Sequence, residues 1–136
     1  MDNDKYDFTD DSIVICGHRL HRIVAKRKIG YVEAGQLGGY IELPSNLDSE
    51  GDCWVGQEAK VYGYLATVQD DALVFGNAVV HGATKVMDQA MICDDSHVNG
   101  YAGMGKISVV GGCSVICGDA HLFGDFNVVD EVIISK

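Results

Sequence analysis

Hydrophobic positions in the second half of the chain recur with a period of six. Stepping by six from Val68 meets an aliphatic residue or Met at every position as far as Val128. The residue two positions before each of these anchors is small in every case except Phe126. The residue two positions after each anchor is Gly or Asp in every case except Lys106. The anchors are Val68, Val74, Val80, Val86, Ile92, Val98, Met104, Val110, Ile116, Leu122 and Val128.

A period of six predicts short strands joined by corners. An α-helix needs recurrence at about 3.6 residues and a plain strand at about 2, so each hexad fits a short strand followed by a turn. The anchor and the small residue before it then point to the same side, the interior. Gly and Asp suit the corner because they adopt turn dihedral angles that branched residues resist. Val55 and Val61 extend the series backward, with one extra residue inserted before Val68.

Hexads such as "ALVFGN" and "AVVHGA" resemble the repeats of the hexapeptide-repeat superfamily, and in particular its uncharacterised bacterial and phage-type branch. The segment "VEAGQLGGYIE", which leads into the repeats, is also similar to that branch. The resemblance implies an all-β fold, a single-stranded left-handed parallel β-helix whose triangular coils each hold three hexads. It assigns the β-helix to residues 51–136.

Residues 1–50 do not share the period and predict a small N-terminal antiparallel β cap. The segments "YDF", "SIVIC" and "RLHRIVA" have the composition of short strands, with "TDD" and "CGH" as turns. A solenoid exposes its first coil unless something covers it, so we expect this segment to close the N-terminal end.

The same segment carries a basic patch, together with two histidines. A basic hairpin on an acidic body suits an acidic protein partner or nucleic acid. The alternative is that these cations face the acidic coils of the same chain or of a neighbour. The patch consists of Arg19, Arg22, Lys26, Arg27 and Lys28.

Charge and composition narrow the classes of function. The net charge of −10 argues against nucleic acid as a direct partner, because phosphate contacts need Lys and Arg. No apolar run approaches the roughly 18 residues of a membrane helix, and the acidic start "MDNDKYDFTDD" has the wrong polarity for a signal peptide. We therefore expect a cytoplasmic protein, in a bacterial or phage-infected host cell, with no membrane partner. Five cysteines without a CxxC pair favour reduced, buried thiols over disulfides or a zinc site.

Two histidines are the candidates for chemistry. With eighteen residues in a coil, His81 and His97 fall on the same face one coil apart and are diagonal neighbours. The resemblance implies two activities to weigh: acyltransferases of the superfamily use a histidine as general base on an acyl-CoA substrate, and carbonic anhydrases of this fold bind a metal through three histidines. Imidazole suits a base because its pKa lies near neutrality. The chain has no donor loop or helical tail, and His121 lies on another face, so we expect surface histidines, with no metal and no cofactor.

One face of the predicted coils is apolar on its outer side as well as its inner side. An exposed wall of this kind usually marks a covered surface. The cover is either the chain's own N-terminal strands or another subunit, and we expect a homodimer, with a trimer second. The predicted interface consists of Leu73, Phe75, Met91, Cys93, Val109 and Val129, with Val132, Ile133 and Ile134 in a further apolar strand after the hexads.

Together these features favour a non-catalytic protein-interaction module. The phage-type resemblance extends the hypothesis to an inhibitor or modulator of a host defence factor, in which an acidic rod occupies a basic nucleic-acid channel. The alternative is a hexapeptide-repeat acyltransferase using acyl-CoA, with His97 or His81 as general base.

Overall fold

The N-terminal residues form an antiparallel hairpin. We describe residues 3–99 from a computed structural model and, beyond them, the backbone of short strands between residues 103 and 135. Strand β1 (Tyr6–Ile15) pairs with β2 (His18–Ala25). The register shifts between Phe8 and Ser12, so the "TDD" segment is a bulge inside one strand and the prediction of a turn there was wrong. The tight turn lies at Cys16 and Gly17, with φ of 49° and 82°.

Strand β3 (Leu37–Ile41) joins the hairpin to the coils. It pairs antiparallel with β2 on one side and parallel with β5 (Lys60–Val61) on the other. A 3-10 helix (Pro44–Asn46) follows, and Leu47 then makes a parallel bridge to Val68. The last part of the segment predicted as a cap, residues 1–50, therefore already follows the path of a first, partial coil.

The remaining strands are short and parallel. Their bounds are β4 Trp54–Val55, β6 Thr67–Val68, β7 Leu73–Val74, β8 Val79–Val80, β9 Lys85–Val86, β10 Met91–Ile92, β11 His97–Val98, β12 Gly103–Met104, β13 Val109–Val110, β14 Val115–Cys117, β15 His121–Leu122, β16 Asn127–Val128 and β17 Ile133–Ser135. Together with β3 and β5 they form three sheets, in the order β3-β5-β8-β11-β14-β17, β4-β7-β10-β13-β16 and β6-β9-β12-β15, and the first of these continues into the hairpin. The chain is thus all-β, a parallel β-solenoid of three-sided coils with an N-terminal hairpin.

The core is built by the two inward positions of each hexad. Every anchor from Val55 to Val98 is fully buried, and so is the small residue two positions earlier from Ala66 to Ala90, with Ser96 only 1% exposed. Consecutive coils stack in register, since Met91 pairs with residue 73 on one side and residue 109 on the other. The prediction of the inward positions is confirmed for the described residues, while the handedness of the coils stays a prediction.

The corners follow the Gly and Asp pattern. Asp70, Asp88 and Asp94 have φ between 56° and 59°, and Gly76 and Gly82 have φ of 70° and 78°. This is the left-handed region, where Gly carries no Cβ penalty and Asp is tolerated better than branched residues. The sequence rule therefore selects residues for one backbone conformation that recurs at every described corner of the repeat.

The inserted residue before Val68 enlarges one corner. Trp54 pairs with Leu73, nineteen positions later, whereas Leu73 pairs with Met91, eighteen positions later. The enlarged corner exposes two large apolar side chains, Tyr64 at 87% and Leu65 at 64%.

Among the described residues, no helix is long and apolar enough to cross a membrane.

Candidate functional site

A row of aromatic and imidazole rings crosses the outer wall of the long sheet. Tyr62 stacks on His81 with ring centroids 4.9 Å apart and an angle of 5° between the planes. His18 approaches Tyr62 from the hairpin at 5.0 Å, and His97 meets His81 edge-on at 5.1 Å and 82°. We call these four side chains, together with Glu42, the histidine ladder. Parallel pairing of Val61 with Val80 places Tyr62 beside His81, while His97, which pairs with Val79, is a diagonal neighbour.

His81 and His97 are joined directly at one end of the ladder. Their Nε2 atoms lie 3.0 Å apart, so one ring donates a proton that the other accepts. Burial lowers the pKa of His81, and the charges that His97 and His18 would carry lower it further. The pair holds at most one shared proton in this geometry, since a second would point two N–H groups at each other.

Glu42 closes the other end. Its two carboxylate oxygens lie 3.0 and 2.9 Å from Nδ1 of His18, and Oε1 also accepts the backbone N–H of Gly63 at 3.0 Å. Burial acts to raise the pKa of Glu42, but these hydrogen bonds from His18 and Gly63 lower it overall. Burial raises the pKa of the Tyr62 hydroxyl, and the interaction with Cys16 raises it further. The contacts of Glu42 with His18 and Gly63 tie the hairpin to the enlarged corner.

A cavity of about 330 Å³ lies between the ladder and that corner. It is lined by His18, Tyr62, Gly63, Tyr64, Leu65, His81 and Gly82. The sequence pointed to His81 and His97 but missed His18, Glu42 and Tyr62. Tyr62 follows the anchor Val61 just as His81 follows Val80, and that shared outward position was the available signal.

The two predicted bases of the ladder contact each other. The Nε2 atoms of His81 and His97 engage each other, and the carboxylate of Glu42 is bound to His18 rather than to either of them. Within the described residues, no group of three or more His, Cys, Asp and Glu side chains is placed to hold a metal ion.

The predicted apolar wall is present within residues 3–99. Leu73, Phe75, Met91 and Cys93 are all half-buried. Leu73 packs against the core together with Val32, so the chain's own N-terminal segment supplies part of the cover. A cavity of about 270 Å³ opens beside these side chains. It is lined by Val32, Gln36, Trp54, Gly56, Gln57, Leu73, Val74, Phe75 and Met91.

The rest of the predicted interface lies beyond residue 99. The backbone of Val109 pairs in register with Met91, while Val129 and Val132 fall outside the described residues. Ile133 and Ile134 belong to β17, which pairs with β14 through Ile134 and Ile116. The prediction that this strand follows the end of the hexads was wrong, because Ile134 continues the step of six from Val128.

The central member of the predicted basic patch is paired within the chain. Arg22 lies over the ring of Tyr40 at 4.5 Å and donates to Oε2 of Glu58 at 2.6 Å. Its Nε atom is 3.4 Å from Oδ2 of Asp11, and its side chain is only 14% exposed. The hydrogen bond to Glu58 is the main reason that the pKa of Arg22 is raised. Arg22 therefore connects the hairpin to the coils, as the alternative reading of the patch described.

The other four cations of the patch also have contacts in their own chain. Lys26 lies 3.8 Å from Asp7 and Lys28 lies 3.9 Å from Glu33. Arg19 donates to the hydroxyl of Ser12 and Arg27 donates to the carbonyl of residue 28. These contacts are partly or wholly exposed, so the side chains also stay accessible to a partner.

Sequence reasoning missed a buried lysine. Lys5 is fully buried, and its ammonium group lies 2.9 Å from the carbonyl of Asp48, 3.3 Å from that of Glu50 and 3.1 Å from Sγ of Cys53. No local pattern marks it, because these partners are more than forty residues away. Cys53 is a free, buried thiol as predicted, whereas Cys16 is free but exposed.

The sequence matches no protein-family model, and a search of curated proteins finds no match. The class of protein is therefore defined by the fold, an all-β parallel solenoid with an N-terminal antiparallel hairpin. Its candidate sites are defined by the histidine ladder and the apolar wall.

Proposed function

We propose that the protein is a non-catalytic protein-interaction module that binds through its apolar wall. The half-buried side chains of Leu73, Phe75, Met91 and Cys93, beside a 270 Å³ cavity, are the observation that carries the proposal. Covering exposed apolar surface with a partner contributes roughly 25 cal/mol of favourable free energy for each Å² removed from water. A wall of stacked parallel strands is rigid, so little conformational entropy is lost when it binds.

The first partner in this proposal is a second copy of the chain. The wall continues from coil to coil in one column, since Met91 lies between residues 73 and 109 in the same sheet. A two-fold axis brings such a column against its own copy and buries both at once. A homodimer is therefore the expected state, with a trimer second.

A further protein partner of opposite charge is supported by the acidic corners. Asp70, Asp71 and Asp95 are exposed, on a chain with a net charge of −10. Complementary charge accelerates association with a basic protein and orients the encounter. Under this proposal the module acts as an inhibitor or modulator, of the phage-type kind, that occupies the basic nucleic-acid channel of a host factor. A pull-down whose yield does not fall as salt is raised would contradict it.

The assembly is tested by charging the wall. Phe75→Asp and Met91→Glu are suitable because their parent side chains are only half-buried. Light scattering coupled to size exclusion should give a dimer for the wild-type protein and monomers for both variants, with similar melting temperatures. Lys85→Glu, at an exposed position of β9 in a different sheet, is the matched control and should remain dimeric. A wild-type protein that is monomeric at micromolar concentration would overturn the assembly and assign the cover to residues 1–50.

The contact between the Nε2 atoms of His81 and His97 supports a non-catalytic role over the acyltransferase alternative, since a base acting through Nε2 needs that lone pair free toward its substrate. Acetyl-CoA should leave the thermal unfolding curve unchanged. Stabilisation by acetyl-CoA, with acyl transfer lost in His97→Ala, would establish the alternative instead.

A further inference from the structure

Two imidazole nitrogens face each other on adjacent coils. The Nε2 atoms of His81 and His97 are 3.0 Å apart, and imidazole binds divalent transition metals at about 2.0–2.1 Å. Two nitrogens at this separation, each at that distance from one ion, subtend an angle of about 90–97° at the ion. This is the angle between neighbouring ligands in square-planar or octahedral coordination, whereas a tetrahedral ion would need the nitrogens roughly 3.3 Å apart.

We infer that His81 and His97 form a two-imidazole chelating site for a divalent transition metal ion, with Ni²⁺ and Cu²⁺ preferred over Zn²⁺. Square-planar and tetragonal sites with nitrogen ligands are characteristic of Cu²⁺ and Ni²⁺. The inference is independent of the proposed protein-binding function, because it concerns a different wall of the solenoid.

The coil backbone holds the two ligands in place. His97 pairs in register with Val79, and the backbone N–H of His81 donates to the carbonyl of Val98 at 3.0 Å. The ring of Tyr62 stacks on the ring of His81. Adjacent strands cannot slide without breaking these bonds, so the two ligands stay close together, and small rotations of the rings turn both Nε2 lone pairs from each other toward one ion.

The protonation state of the pair also suits a metal ion. Binding needs a lone pair on both Nε2 atoms, so the proton that now joins them must move to Nδ1 of its ring or leave. A net charge of −10 raises the local concentration of cations around the protein.

The coordination is completed by water. In the part of the chain that the structure describes, no third His, Cys, Asp or Glu side chain converges with the pair on a metal site. A site with two protein ligands binds its ion reversibly and leaves positions open for exchange. The ion is therefore removed by a chelator without unfolding the protein.

Titration calorimetry with Ni²⁺, on the full chain at pH 7.5, tests the inference. The wild-type protein should bind one equivalent through this site, and His81→Gln and His97→Gln should each weaken it at least about tenfold, because losing even an outer-shell partner costs about 10–100-fold in metal affinity. Zn²⁺ should bind more weakly than Ni²⁺. His21→Gln, which removes a histidine stacked on Phe8 in the hairpin, is the matched control and should bind as wild type.

A second readout does not depend on the variants. Paramagnetic Ni²⁺ should broaden the ring-proton NMR signals of His81 and His97 first, before those of His21. Melting curves of each variant establish that it is folded before its affinity is compared. Binding that is unchanged in both His81→Gln and His97→Gln, or broadening that starts elsewhere, would overturn the site.

Discussion

The ammonium group of Lys5 lies 3.1 Å from the sulfur of Cys53, and both residues are fully buried. The same ammonium lies 2.9 Å from the carbonyl of Asp48 and 3.3 Å from that of Glu50. A charged group tolerates burial when its donors find acceptors in this way. Lys5 thereby fixes the residue before β1 to the loop that enters β4, and it holds the hairpin against the first coil.

Lys5→Met should destabilise the protein by about 1–3 kcal/mol. The substitution keeps a long side chain but removes the buried donor that serves the carbonyls of Asp48 and Glu50 and the sulfur of Cys53. Urea unfolding followed by tryptophan fluorescence gives the free energy. Lys28→Met is the matched control, since that side chain is 68% exposed, and its effect should stay within about 0.5 kcal/mol. Equal losses for both variants would contradict a structural role for Lys5.

Gly76→Ala should cost clearly more stability than Gly17→Ala. Both glycines have positive φ, of 70° and 82°, so both variants pay the left-handed penalty of about 1–2 kcal/mol. A Cβ at position 76 would also lie 2.7 Å from the backbone nitrogen of Asp94 in the next coil, whereas position 17 has open space. Thermal unfolding of the two variants separates the clash from the backbone conformation. Similar melting temperatures would show that the coils can move apart.

Arg22 and Glu58 should show measurable coupling across the boundary between hairpin and coils. Arg22 and Glu58 are 2.6 Å apart, and the guanidinium group also lies over the ring of Tyr40. Glu58 is 55% exposed, so solvent screens the pair. A double-mutant cycle with Arg22→Ala and Glu58→Ala should give about 0.5–1 kcal/mol. The same cycle on Lys28 and Glu33, an exposed pair 3.9 Å apart, should give about zero. Coupling no larger for the first pair than for the second would refute the connection.

Acidification should weaken the fold through His81. Its pKa in the folded state is lowered by burial, by His97 and by His18, so the unfolded chain binds a proton more readily. This contribution to stability is fully present above the unfolded pKa of about 6.5 and is lost as the pH falls through the lower folded value. His97→Gln removes one of the three causes and should raise the pKa of His81 in an NMR titration. A pKa that stays the same in His97→Gln would show that His97 does not contribute to it.

The repeat could be predicted from sequence because its information is local. Spacing alone predicts that Val80 is buried and that Gly82 forms a corner. A coil of eighteen residues brings His81 and His97 together. The entry into the solenoid could not be predicted in this way. Leu37–Ile41 lacks the Gly or Asp that follows most of the other anchors, since Leu43 stands two positions after Ile41. Its pairing with the first coil depends on close packing of Gly38 and Gly39 against Trp54 and Val55.

Contacts across the boundary between hairpin and coils were equally hidden. Arg22 and Lys5 each depend on partners more than thirty residues away, and a cation gives no sign in the sequence of which carboxylate or carbonyl it will meet. Glu42 and His18 are a similar case in the ladder. Sequence spacing specifies contacts between coils, while contacts to the hairpin depend on its orientation.

The hairpin also affects whether a further chain can pair with the edge of the long sheet. β2 already occupies the edge of β3 where another coil would otherwise add. The outermost strand, β1, carries Asp7, Asp10 and Asp11 at exposed positions and is bulged between Phe8 and Ser12. Charge and a bulge on an edge strand both discourage pairing with a further chain. The hairpin therefore disfavours the addition of another copy of the chain to the long sheet through β1, the kind of edge pairing that leads to amyloid-like stacking.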